Sequence, residues 1–282
     1  MTAPKERLPY RASLGEYQRQ ADELLAGWKA GDAAATRFFW GAHPRFRDDT
    51  EKWLPKNLSE AEIRSVAMDG ADAKLAIARW YEFESWDRLA DYVDAVRQDG
   101  SPVQRFEAAV EAVITGDIAA LRSLLDADPD LVRARSTRVT PQEPPRHGAT
   151  LLHYLAANGV EGYRQLSPPN AVEVARLLLE RGAEVDALAN MYGGQCTTMS
   201  MLVSSTPPAQ AGVQVPLVET LIDAGSSLEA RGGGAWTSPL LTALVFGFRD
   251  TAEALVRRGA RVDTLSAAAG LIASPAVGRR SC

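Results

Sequence analysis

Cysteine and histidine are scarce in this chain of 282 residues, which contains two of the first and three of the second. The cysteines, Cys196 and Cys282, lie far apart in sequence, so no disulfide framework is expected and a reducing compartment fits. The histidines, His43, His147 and His153, do not have the spacing of metal ligands. We therefore predict a protein without a metal site and without a cofactor.

The chain also lacks long apolar runs, a secretion signal and an excess of basic residues. No stretch approaches the roughly 20 apolar residues that span a bilayer. The first seven residues lack an apolar core followed by a cleavage site. The formal net charge is −5, and lysine and arginine are interleaved with acids, which argues against a nucleic-acid-binding surface. We expect a soluble, cytoplasmic protein that binds neither nucleic acid nor membrane.

One sequence motif, by contrast, occurs three times. In each copy an apolar stripe with i, i+3, i+4 spacing is followed by a glycine, namely Gly182, Gly225 and Gly259. Such a stripe predicts a helix that is buried only by stacking on neighbouring copies. The glycine supplies the left-handed residue that ends the helix. An earlier, degenerate copy contains Leu121 and Leu125 and ends on a proline instead.

Each copy also begins with a recognisable tetrapeptide. These openings are Thr150-Leu151-Leu152-His153, Thr197-Thr198-Met199-Ser200 and Ser238-Pro239-Leu240-Leu241. The opening tetrapeptides, the Gly-Ala ends and the spacing between them together resemble the ankyrin repeat, whose units have about 33 residues. The resemblance covers roughly residues 103 to 270. The stretches 158–164 and 192–194 further resemble a bacterial subgroup of these proteins.

The resemblance implies an all-α solenoid of helix-turn-helix units joined by hairpin-like loops, called fingers. In this chain the fingers would be residues 132–149, 185–196 and 228–237. Ankyrin-repeat arrays usually bind another protein along their fingers and inner helices. The resemblance therefore implies a protein partner, which the sequence does not identify.

The front of the chain predicts a separate helical region. Ser13 with Glu16, and Ser59 with Glu62, form capping boxes, and Ser85 can cap a third helix. The segment at residues 78–89 resembles the helical lead-in of many bacterial ankyrin proteins, which would cap the first repeat. The predicted organisation is a helical region at 1–100, a repeat array at 101–271 and a disordered tail at 272–282.

Aromatic residues are concentrated in this helical region. Either they fill its core, as aromatics do in small helical units, or they form a ligand cage. Five of the six tryptophans lie here: Trp28, Trp40, Trp53, Trp80 and Trp86.

Two copies carry inserts between their first and second helices. From opening residue to glycine the three copies span 32, 28 and 21 positions, so the first two exceed the last by 11 and 7. Inserts at one point of consecutive units emerge on the same edge, where they could form a binding lip. The other interpretation is that surface loops tolerate extra length at little entropic cost.

Two hypotheses for function follow. The first is a non-enzymatic scaffold that contacts its partner through Arg138, Tyr192 and Trp236 at the fingers and through the lip formed by the inserts. The alternative is a site for a small polar ligand, or a catalytic site, beneath the inserts. It contains no evident acid and base pair, and no neighbouring histidine in the sequence supports Cys196 as a nucleophile, so we favour the scaffold. The residues of this alternative pocket would be Tyr163, Asn170, Thr197, Thr198 and Gln214.

Overall fold

The computed structural model describes residues 7–51, 54–142, 145–229, 238–262, 267 and 270–271. Over these ranges the chain is mostly helical, as predicted, with 14 α-helices and one two-stranded hairpin. No helix in them is both long and apolar enough to cross a bilayer. Two compact units are present, one made of Met1–Glu107 with Val139–Gln142 and the other of Ala108–Arg138 with Glu143–Cys282.

The first unit is built around helix α4. Its helices are α1 (Leu14–Lys29), α2 (Ala33–Ala42), α3 (Glu60–Arg64), α4 (Gly70–Trp80), α5 (Trp86–Arg97) and the start of α6 (Pro102–Thr115). Helix α4 packs against α1, α2 and α5. The capping boxes at Ser13 and Ser59 and the cap at Ser85 are confirmed, because each serine begins a helix as predicted.

Aromatic side chains fill the core of this unit. The rings of Trp28 and Phe39 meet edge to face with centroids 5.0 Å apart, and those of Tyr17 and Tyr81 with centroids 4.9 Å apart. All four side chains are buried. These contacts favour the core-packing interpretation over a ligand cage. Trp53 lies outside the described residues.

The second unit contains the repeated copies. Its helices are α7 (Ile118–Ala127), α8 (Leu151–Leu155), α9 (Ala171–Glu180), α10 (Thr198–Leu202), α11 (Thr206–Gln210), α12 (Gln214–Asp223), α13 (Pro239–Val245) and α14 (Arg249–Arg257). We call α7 the end of the first copy, α8 and α9 the second, α10 to α12 the third, and α13 and α14 the fourth.

Helices of like position contact one another from copy to copy. The second helices α7, α9, α12 and α14 touch in chain order, and so do the first helices α8, α10 and α13. The apolar stripe lies in these contacts, since Ala175 and Leu178 are fully buried and Val218 and Leu221 nearly so. The stripe read from the sequence is therefore confirmed.

Glycine ends the second helices because the chain there turns left-handed. The φ angles of Gly182, Gly225 and Gly259 are +91°, +91° and +100°, a region that only glycine enters at low cost. In the first copy α7 instead ends at Ala127, immediately before Asp128 and Pro129. Both endings agree with the sequence prediction.

Polar links also join consecutive copies just after these glycines. The carboxylate of Asp186 accepts hydrogen bonds from the Ser226 hydroxyl, at 2.9 Å, and from the Ser227 backbone N–H, at 3.1 Å. One copy later, the Glu229 carboxylate accepts from Arg261 Nε at 3.1 Å. The acids four positions after Gly182 and Gly225 thus bind the next copy at corresponding places.

Both inserts contain ordered helical structure. The first holds a 3-10 turn at Gly162–Arg164, and the second holds α11, which packs on α12. At the base of the first insert, Asn170 Nδ2 donates to the Gly116 carbonyl oxygen at 2.8 Å. The first insert is therefore attached to the turn between α6 and α7 of the preceding copy.

We expect Gly116→Ala to destabilise the protein more than a matched glycine change does. Gly116 has φ of +75°, and a Cβ there would lie 2.1 Å from Asn170 Oδ1. Gly212 has φ of +72° with open space around it, so Gly212→Ala should cost only the backbone strain of about 1 kcal/mol. Gly116→Ala should cost about 2 kcal/mol more in urea unfolding, because Asn170 must also move. Equal costs would contradict this close contact.

Candidate functional site

The second finger is a tight β-hairpin, as the finger prediction for residues 185–196 requires. Strand β1 (Ala189–Met191) pairs antiparallel with β2 (Gly194–Cys196), and Asn190 lies opposite Gln195. The two turn residues, Tyr192 and Gly193, have φ of +50° and +75°. Positive φ at both positions is the type I′ turn, whose twist matches that of the flanking strands.

The hairpin has one buried and one exposed face. Ala189, Met191 and Cys196 are buried, and the Met191 side chain packs so closely on Gly159 that a Cβ there would lie 2.5 Å from Met191 Sδ. On the other face, Tyr192 is 56% exposed. Its hydroxyl donates to Asn158 Oδ1 at 2.5 Å, which holds the ring over the end of α8.

His153 connects this hairpin to the helix pair of the second copy. Its Nε2 lies 3.2 Å from the Cys196 carbonyl oxygen, which only accepts, so Nε2 carries the proton. Its Nδ1 accepts from the Thr150 backbone N–H at 3.3 Å. Burial lowers the pKa of His153 to about 4, although the bond to Cys196 opposes this shift. His153 is therefore a structural brace between the opening of the second copy and the hairpin.

The Cys196 thiol is not set up as a nucleophile. Burial raises its pKa, and its Sγ lies 3.4 Å from the Met191 carbonyl oxygen, to which it donates. The neighbouring His153 bonds the backbone carbonyl of Cys196 and not its sulfur. Nucleophilic chemistry needs a base directed at the thiol, and this geometry directs the imidazole elsewhere.

Arg138 does not lie on a finger surface, which corrects the placement expected from the sequence. Its side chain is only 5% exposed, and its Nε lies 3.2 Å from Glu161 Oε1 in the first insert. Its terminal N–H donates to the Tyr163 hydroxyl at 2.5 Å. Because the guanidinium is bound to these buried groups, Arg138 is a structural link between the first finger and the first insert.

Glu161 is the centre of a buried polar cluster that sequence reasoning missed. Its carboxylate is fully buried and accepts from the Tyr154 hydroxyl at 3.1 Å, with His147 Nε2 at 3.4 Å and an Arg164 nitrogen at 3.8 Å. Burial by itself would raise the pKa of Glu161, but Arg138 and then Arg164 outweigh it and hold that pKa well below its usual range. The carboxylate therefore stays ionised. Nothing in the local sequence signals that this acid is buried.

The five residues of the predicted polar pocket serve separate structural contacts. Tyr163 accepts from Arg138, Asn170 donates to Gly116, and Thr197 caps α10. Gln214 Nε2 donates to the carbonyls of Leu202 and Ser205, while its Oε1 accepts from Thr251 at 2.6 Å. The Thr198 hydroxyl is buried without a hydrogen-bond partner in the described chain. These contacts do not assemble a shared site.

An open groove of about 220 Å³ lies elsewhere, between α9 and α12. It is lined by Arg176, Leu179, Glu180, Thr220, Asp223 and Ala224. The sequence signal that could have found it is the residue before each glycine, which is Arg181 and Arg258 in two copies but Ala224 in the third. Among the described residues, no cluster of histidine, cysteine and acidic side chains could hold a metal ion.

We expect the stability of the protein to fall between pH 6.5 and pH 4 because of His153. Its pKa is 6.5 when unperturbed and about 4 in the fold, so the unfolded chain binds the proton more tightly. The contribution of His153 to the free energy of unfolding is therefore fully present above pH 6.5. It is lost as the pH falls toward 4, by up to roughly 3 kcal/mol. When the free energy of unfolding in urea is measured across this range, its slope against pH should be shallower in His153→Gln than in the unchanged protein. An unchanged slope in that variant would refute the assignment.

Removing the Glu161 carboxylate should leave two buried guanidinium groups without their shared counter-ion. We expect Glu161→Leu to lower the free energy of unfolding by about 3 to 5 kcal/mol. The double change Arg138→Met with Glu161→Leu should cost less than the sum of the two single changes, because it removes both members of one pair. Additive costs in urea unfolding would show that the pair is not energetically coupled.

Comparison with known proteins identifies one similar family. A family model described as Ankyrin repeat matches residues 147–190, which contain α8, α9 and the first two residues of β1. No curated protein matches the chain. Ankyrin repeats are generally protein–protein interaction modules and are generally not enzymes.

Proposed function

We propose that this chain is a non-enzymatic scaffold of the ankyrin-repeat type, which binds a protein partner through the hairpin at residues 189–196. We place its action in the cytoplasm, as the composition suggests. The observation that carries the proposal is Tyr192, an exposed aromatic side chain at the hairpin turn, with a left-handed backbone. The partner is a protein whose surface accepts this ring.

The backbone at Tyr192 supports a functional role. A residue with a Cβ pays about 1 kcal/mol or more at positive φ, and Asn-Gly is the usual sequence of such a turn. A tyrosine here therefore costs stability. Strained residues collect at binding sites, and tyrosine is enriched among residues that dominate binding energy. The hydrogen bond to Asn158 orders the ring before a partner arrives, which reduces the entropy lost on binding.

The contacts between copies support a solenoid that presents this hairpin. Like helices touch in chain order and the acid links repeat from copy to copy. The Asn190 backbone N–H donates to the His147 carbonyl oxygen at 2.7 Å, which connects the hairpin to the first finger. We infer that the two fingers form one rigid contact surface. Trp236, in the third finger, lies outside the described residues and stays a predicted contact.

The alternative small-ligand or catalytic site has no comparable support. Four of its five predicted residues are engaged in caps or contacts between copies, as described above. The first insert is bound to the preceding copy through Asn170 and to the first finger through Glu161. We infer that the inserts brace the fingers.

We expect Tyr192→Asn to weaken partner binding strongly without loss of stability. Asparagine relieves the left-handed strain, and this gain offsets the lost hydrogen bond to Asn158, so the free energy of unfolding should change by less than about 1 kcal/mol. Loss of the ring should weaken binding at least about tenfold if it is an anchor of the interface. Affinity for a captured partner, measured by calorimetry, compares the two proteins directly.

Photo-crosslinking tests the location of the surface. A photoreactive side chain at Asn190, which is exposed beside Tyr192, should join the partner. The same group at Glu173, exposed on α9, is the control and should not. Undiminished binding by Tyr192→Asn, or crosslinks of equal yield from both positions, would rule out the hairpin as the contact.

A further inference from the structure

An arginine joins consecutive second helices at two of the three junctions. Arg181, just before Gly182, binds Asp126 at the end of α7, with a nitrogen 2.7 Å from Oδ1. Arg258, just before Gly259, binds Asp223 at the end of α12. The two acids hold the same place in their copies, because Asp126 follows Leu125 as Asp223 follows Ile222. The junctions are therefore closed by equivalent ion pairs.

The junction between α9 and α12 lacks this closure. The residue before Gly225 is Ala224, whose methyl group cannot span to the acid of the preceding copy, Glu180. The side chains of Glu180 and of Arg176, one turn earlier on α9, make no hydrogen bond or ion pair with any other described residue. The groove of about 220 Å³ lies at this place.

The lining of the groove is complementary to a long cationic side chain. Leu179 and Ala224 offer apolar surface for a methylene stem. Glu180 lies on the α9 wall of the groove and Asp223 on the α12 wall, so acidic side chains line both sides. Arg176 is exposed at the groove, and Asp223 already shares its charge with Arg258. Within the described part of the chain, the carboxylate at this groove that has no ion-pair partner is thus Glu180.

We propose that this groove binds an arginine side chain of a partner protein, which takes the place that Arg181 and Arg258 take at the other two junctions. Arginine is expected over lysine because arginine occupies the equivalent position at both other junctions, and its planar fork of N–H donors can bind the Glu180 carboxylate through two hydrogen bonds. No groove residue belongs to the hairpin, so the groove does not depend on the function proposed for Tyr192. It adds a second, charge-selective contact on the second helices.

The test uses the full chain and a short peptide. An isotope-labelled protein is titrated with acetyl-Gly-Arg-Gly-amide, while the amide signals of Thr220 and Ala224 are followed by NMR. We expect saturable shifts at both residues. The citrulline peptide has a similar shape without the charge. It should bind about threefold more weakly, since exposed ion pairs contribute modestly. The lysine peptide should lie between the two.

Two variants and one control locate the binding. Glu180→Gln should weaken the arginine peptide about threefold, and Ala224→Arg should remove the shifts because the chain then fills its own groove. Glu173→Gln changes the same charge elsewhere on α9 and should leave binding unaltered.

Several results would overturn the proposal. These are the absence of saturable shifts up to about 20 mM peptide, a concentration that would fill a site of millimolar affinity, equal binding of the citrulline peptide, and equal binding by Glu180→Gln. Loss of binding in Glu173→Gln alone would also overturn it. Because the readout is the groove itself, none of these results bears on the hairpin.

Discussion

Each second helix in this protein has an apolar stripe that it cannot bury by itself. Ala175 and Leu178 are removed from water only because α9 lies between α7 and α12, and Leu255 depends likewise on α12 and α13. The fold is therefore a chain of neighbour contacts, in which each copy completes the core of the next. The hairpin, the inserts and the groove are all features of how one copy meets another.

Buried polar groups set the register of this stacking. His153 reaches from the second copy to the Cys196 carbonyl of the third, and Gln214 joins the third copy to Thr251 of the fourth. An unpaired polar group in these places would cost far more than the bond contributes. Apolar contact alone tolerates sliding between helices, whereas these bonds form in one arrangement only. The buried ion pair between Glu161 and Arg138 fixes the arrangement of the first insert against the first finger in the same way.

The two features on which our proposals rest lie where the repetition is broken. Tyr192 replaces the asparagine that suits its turn, and Ala224 replaces the arginine of the neighbouring junctions. Neither residue stabilises the contacts between copies, since Tyr192 adds backbone strain and Ala224 leaves its junction without the ion pair. Both leave a feature that faces solvent, an aromatic ring in one case and, in the other, a groove beside a carboxylate that pairs with no described residue. The regular positions keep the array together, and the irregular ones give it a distinct surface.

The sequence by itself determined the helices, their ends and the repeat, because these depend on local periodicity and on residues such as Gly182 and Pro129 whose backbone preferences act within a few positions. It also indicated the second finger. Only the tertiary structure decided which polar side chains are buried. Arg138 looked available and is interior, while Glu161 looked like a loop residue and is fully enclosed. Their burial depends on segments more than 20 residues apart meeting through the insert, and the energy of an ion pair depends on that environment and not on the local sequence.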